Sequence, residues 1–72
     1  MLYDPHLDLF LQVAELGSFS KAAEARYITP SAVIKQINLL EDELGVRLFE
    51  RTHRGLKLTK AGESLKLSLI HI

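Results

Sequence analysis

The sequence contains no cysteine and no tryptophan. Without cysteine, no disulfide framework, zinc ribbon or thiolate site can brace the chain. That matters because 72 residues make one small domain, and a chain of this size buries only about 60% of the surface its unfolded form exposes. An enzyme with its own substrate domain is excluded by length. Long hydrophobic runs are missing too, and no apolar stretch approaches the ~20 residues of a membrane span. Asp4, Asp8 and Glu15 occupy the segment that a secretory signal would leave uncharged. Neither a membrane partner nor export is expected, and the lack of thiols is compatible with a reducing cytoplasm. What remains is a globular composition, 47% apolar and 25% charged.

The chain also lacks net charge, which at first argues against a polyanionic partner. The distribution reverses that impression. Up to Val46 the bases Lys21, Arg26 and Lys35 face Asp4, Asp8, Glu15, Glu24, Glu41, Asp42 and Glu43, a net of −4. From Arg47 onward Arg51, Arg54, Lys57, Lys60 and Lys66 join it against Glu50 and Glu63, a net of +4. A basic back half hints at an anionic partner, although charges on a solvated surface commonly serve solubility alone.

Hydrophobic spacing gives the elements. Leu7, Phe10, Leu11 and Ala14 form one helical stripe, with Asp4 as N-cap, Pro5 in the first turn and Gly17 as the stop. Ser20 is expected to cap a short second helix from Lys21 to about Tyr27, whose Ala22, Ala23 and Ala25 allow close helix approach. Thr29-Pro30 is the clearest local signal: a capping hydroxyl, then a proline that forfeits no hydrogen bond. A third helix should run from Pro30 to Leu44 and end at Gly45. On it Val33, Ile37, Leu40 and Leu44 share a face within about 40°, while Ser31, Lys35, Asn38 and Asp42 point away and Ile34 sits on the shoulder. Past Gly45 the period becomes alternating, so residues 48–51 and 56–58 read as strands around a turn at Thr52-His53-Arg54-Gly55. Thr59 then caps a fourth helix with Leu65, Leu69 and Ile72 on one stripe. The predicted order is helix, helix, helix, hairpin, helix.

Two short helices joined by a tight turn, the second polar and basic at its exposed N-terminal end, describe a helix-turn-helix. Such a helix fits the DNA major groove and meets base edges with its first residues. Its free amides and positive dipole end favour phosphate oxygens. A hairpin carrying Arg51, Arg54 and Lys57 would form a wing beside that groove, where arginine suits phosphates or a narrow minor groove.

The residues themselves carry a resemblance. Leu7-x-x-Phe10, Val13-Ala14-Glu15-x-Gly17-Ser18-Phe19-Ser20-x-Ala22-Ala23, Ile28-Thr29, Ala32-Val33, Gln36-Ile37 and Leu40-Glu41-x-Glu43-Leu44-Gly45-Val46-x-Leu48-Phe49-Glu50-Arg51 resemble the N-terminal domain of LysR-type transcriptional regulators. The likeness continues through Arg54-Gly55, Leu58-Thr59 and Ala61-Gly62-Glu63 without a gap. It implies a mainly α fold: a winged helix-turn-helix domain over residues 1–59, with the motif at about 19–38 and the wing at about 46–58. Residues 60–72 would begin a linker and dimerisation helix. It also implies a bacterial, cytoplasmic transcription factor that binds interrupted palindromes in double-stranded DNA as a homodimer or tetramer. The expected DNA-binding residues are Ser20, Lys21 and Thr29 with Pro30, Ser31, Ile34 and Lys35 on the groove side, and Arg51, Thr52 and Arg54 on the wing.

Three departures stand out. Pro30 occupies a position where the family most often has glutamine, so amide-to-base hydrogen bonds cannot form there. Ile34 replaces a common serine and can touch a thymine methyl but cannot bond a phosphate. The long helix and co-inducer-binding domain of the family are absent, so the chain reads as a fragment or a truncated reading frame. With little left to cover Leu65, Leu69 and Ile72, weak self-association through that stripe is expected.

Plainer readings compete with these. Ser20 and Thr29 would cap helices in any helical protein, and Lys35 taken alone is a solvated lysine. His6, His53 and His71 are too far apart for a local metal motif. No nucleophile and base share a frame, so no catalytic, metal or cofactor site is expected. Glu41-Asp42-Glu43 reads as a solvated patch, offset by a partner such as Arg47. A winged-helix protein–protein module or a non-functional fragment is the alternative function.

Overall fold

In the computed structural model, which describes residues 4–70, α1 (Pro5–Leu16), α2 (Phe19–Arg26) and α3 (Pro30–Leu44) pack on one another. A hairpin of β1 (Phe49–Thr52) and β2 (Gly55–Leu58) and a last helix α4 (Lys60–Ile70) complete the order. The first helix begins as its sequence requires. The Asp4 carboxylate accepts the His6 amide at 2.8 Å, and Gly17 ends the helix with φ +68°. Its buried arc is wider than the expected stripe. Leu9, Phe10 and Val13 are fully buried while Leu7, Leu11 and Ala14 are half-buried against them, because α2 and α3 both cover this helix.

The second helix starts earlier than expected. Ser18, not Ser20, is its N-cap, accepting the Lys21 amide at 3.1 Å. Ser20 lies exposed in the first turn. Beginning at Phe19 sets that ring edge-on to Phe49, centroids 5.8 Å apart, while Ala22 and Ala23 turn into the core. Tyr27 is the left-handed cap at φ +58°, donating to the Ala23 and Glu24 carbonyls, rather than the last helical residue. No glycine is available there, and the conformation costs a β-carbon residue about 1 kcal/mol.

The third helix runs over the expected span, with the Thr29 hydroxyl accepting the Ala32 amide at 3.1 Å and Gly45 as its stop. Val33, Ile37 and Leu40 are buried. Leu44 is not: it is 45% exposed, and Glu41 takes the fourth inward place at 8%. The chain leaving Gly45 folds back along α3, so the Leu48 and Phe49 amides donate to the Glu41 carboxylate at 2.7 and 3.3 Å. Glu41 is therefore an internal brace rather than part of a solvated patch, and the backbone supplies its partners.

The hairpin is antiparallel, pairing Phe49 with Leu58, Glu50 with Lys57, Arg51 with Leu56 and Thr52 with Gly55. Gly55, at φ +117°, takes the positive dihedral that ends the turn. The Thr52 hydroxyl closes it, donating to the Gly55 carbonyl at 2.9 Å and accepting the Arg54 amide at 3.2 Å. Thr59 joins hairpin to helix, its hydroxyl donating to the Arg47 carbonyl at 2.6 Å and accepting the Gly62 amide at 3.0 Å. On α4, Leu65 and Leu69 pack against the core, so they do not form the uncovered stripe expected of them. The exposed apolar residues of that helix are Leu67 and Ile70. Ile72 and His71 lie outside the described residues.

Candidate nucleic-acid interface

The N-terminal ends of α2 and α3 open on the same side of the molecule as the wing. Gly17 and Ser18 before α2, Phe19 and Ser20 at its start, Pro30 and Ile34 from α3, and Arg51, Thr52, Gly55 and Leu56 from the hairpin line one concave face of about 420 Å³. Two helix N-termini, each a partial positive charge, thus share a surface with an arginine. Such a surface suits anionic oxygens.

Of the ten residues expected to touch DNA, five line this concavity: Ser20, Pro30, Ile34, Arg51 and Thr52. The other five do not line it. Lys21 and Thr29 are exposed, at the first turn of α2 and the cap of α3. Ser31 and Lys35 are exposed on α3, and Arg54 is exposed at the tip of the wing. Thr29 and Thr52 spend their hydroxyls on local structure, as cap and turn closure, yet remain exposed.

On α3 these side chains form two rows at spacing i, i+4. Pro30, Ile34 and Asn38 make one row, on the wing side. Ser31 and Lys35 make the next, about 100° around the helix. A larger groove of about 760 Å³ continues the concave face between α3 and β1, sharing Phe19, Ile34, Arg51 and Leu56 and adding Asn38, Arg47 and Glu50 among others. Asn38 was expected only to point outward; its place in that groove depends on where the wing docks.

The wing is docked by aromatics. Phe10 and Phe49 are 5.4 Å apart between centroids, Phe49 meets Phe19, and the Arg51 guanidinium lies 5.4 Å over the Phe19 ring. This continuous stack leads from the core to the wing, and the face of its outer ring attracts the exposed Arg51 cation. Sequence reading missed the role of Phe19. Its signal was faint: an aromatic directly after a capping serine, with no local periodicity to give it a partner. Arg26 is not part of the interface, since its guanidinium donates to Gln12 and pairs with Asp8 at 2.8 Å, tying α2 to α1. Among the described residues no cluster of three or more histidine, aspartate or glutamate side chains could hold a metal ion, and no helix is long and apolar enough to cross a membrane.

Known proteins share this arrangement. Residues 5–63 match the model of the bacterial regulatory helix-turn-helix proteins of the lysR family. The chain is 48% identical over 61 residues to LtrA of Klebsiella pneumoniae, a probable HTH-type transcriptional regulator, covering 85% of this chain and 20% of that protein. The crystal structure of a LysR-family transcriptional regulator from Eggerthella lenta superposes with a TM-score of 0.86 at 37% identity, covering 94% of this chain and 97% of that one. The DNA-binding domain of CbnR, solved in complex with DNA, gives a TM-score of 0.83 at 36% identity over 93% of this chain and 77% of that one. The chain spans 19 to 41% of the length of the curated relatives it matches.

Proposed function

Because the chain belongs to the LysR family of bacterial helix-turn-helix regulators, we propose that it binds double-stranded DNA as the sequence-reading domain of a transcription factor acting in the bacterial cytoplasm. The part up to residue 59 serves as the reading domain, and α4 (Lys60–Ile70) would begin the helix that pairs two such domains on an interrupted palindrome. The observation that carries this reading is the convergence of two helix N-termini and Arg51 on one concave face. Helix α3 enters the major groove. Ser20, Lys21 and Thr29 meet flanking phosphates, and Ser31 and Lys35 offer donors to base edges. Arg51, Thr52 and Arg54 ride the backbone or the adjacent minor groove.

Fluorescence anisotropy with mixed-sequence and selected duplexes at two salt concentrations tests this. Arg54→Ala should weaken binding to all duplexes by a similar factor and lower the salt slope by about one unit per lost phosphate contact. Lys35→Ala should instead alter the preferred base at one position, losing ~1–3 kcal/mol of discrimination there. An unchanged selected site, or an Arg54→Ala effect confined to one operator, would refute these assignments.

A further inference from the structure

The two rows on α3 differ in chemistry, and the difference predicts what the protein reads. Ser31 and Lys35 are exposed and polar. Pro30 and Ile34, one turn apart on the wing side, carry neither donor nor acceptor in their side chains, and as proline residue 30 lacks even the amide hydrogen. Pro30 is exposed, Ile34 is half-buried, and both line the concave face beside Phe19 and Leu56. Ile34 thus shares the concave face with apolar side chains and presents part of its own apolar surface to it. Cations frame this ridge, with Lys35 on the same helix and Arg51 across the concavity.

We propose that Pro30 and Ile34 form an apolar ridge that reads the 5-methyl groups of thymine, making the half-site of this protein thymine-dependent at the steps they face. The inference rests on α3 occupying the major groove. Among the base edges displayed there, the thymine methyl is the apolar group; the others are hydrogen-bond donors and acceptors. An apolar side chain pressed on cytosine would leave its N4 amino group without a partner, and an unpaired polar group is costly to bury. The ridge therefore selects thymine twice, by burying its methyl and by penalising cytosine.

The test starts from duplexes selected by this chain from a randomised library. Each thymine is then replaced by deoxyuridine, which keeps every hydrogen-bonding group and removes only the methyl. At one or two positions per half-site the affinity should fall by about three- to fivefold, the size expected for one methyl group leaving an apolar contact. Ile34→Ser should bind the thymine and uracil duplexes equally at the position it faces. The DNA-side substitution leaves the protein untouched, so the result does not depend on how well the variant folds. Tight binding with no uracil effect at any position would overturn the inference and leave the proposed function standing. Failure to bind any duplex would overturn both.

Discussion

Among the described residues Glu41 is the charged side chain that is buried. Its carboxylate sits in the interior and accepts two amides from the segment that leads into β1, so one side chain fixes the wing's root to the reading helix. Glu41→Ala would strand the Leu48 amide in a buried place, at about 2–3 kcal/mol. A small domain with a lone core rarely has more than ~3–5 kcal/mol to lose. We expect a urea midpoint shifted far down in Glu41→Ala and partly recovered in Glu41→Gln, which keeps one acceptor. Equal stability of Glu41→Ala and the parent would show that water replaces the brace. Phe19 plays the corresponding part on the other side, as the platform under Arg51.

At the scale of elements, the close junction is between α4 and the segment before β1. A β-carbon on Gly62 would be driven onto the Leu48 carbonyl oxygen and to 2.9 Å from Leu58 Cδ2. Replacing a helical glycine by alanine ordinarily gains about 1 kcal/mol. Here the added methyl must push α4 off the hairpin, and Gly62→Ala should instead lose ~1–3 kcal/mol, the range for overpacking. Thermal unfolding of the two proteins measures the sign directly, and a raised midpoint would mean that α4 is free to shift. The same junction sets the direction in which α4 leaves the domain, and with it the geometry of any assembly built through that helix.

For the whole molecule, DNA binding is expected to strengthen with association. A single reading helix makes few base contacts, and helix-turn-helix dimers gain specificity by engaging half-sites about one helical turn, ~34–36 Å, apart or a multiple of it. Alone, one domain should bind weakly and mostly through phosphates. Leu67 and Ile70 are 63% and 55% exposed on α4, so weak self-association is predicted to run through them rather than through Leu65 and Leu69, which pack on the core. Sedimentation equilibrium from micromolar to millimolar concentration should reveal a monomer–dimer equilibrium that Leu67→Glu abolishes without lowering thermal stability. A strict monomer throughout would remove α4 from the assembly. Leu69→Glu is the wrong probe, since Leu69 packs on the core and its substitution would unfold as well as dissociate.

The sequence by itself determined the element order, three of the helix caps, both glycine stops and the side of α3 that faces outward. These depend on contacts within a few residues: Asp4 with His6, Thr29 with Ala32, Thr59 with Gly62. The family was legible for the same reason, its motif being a string of such local and periodic choices. Tertiary structure decided what local rules leave degenerate. Ser18 and Ser20 are both acceptable caps, and the start at Phe19 matches the seating of that ring on Phe49. Leu44 and Glu41 both lie near the buried face of α3, and the path of the chain after Gly45 turned the carboxylate inward and left the leucine in solvent. The concave face itself joins residues up to 39 positions apart, from Gly17 to Leu56. No periodicity reaches that far; the docking of the wing, through Phe49 on Phe19 and through the Glu41 brace, brings those residues together.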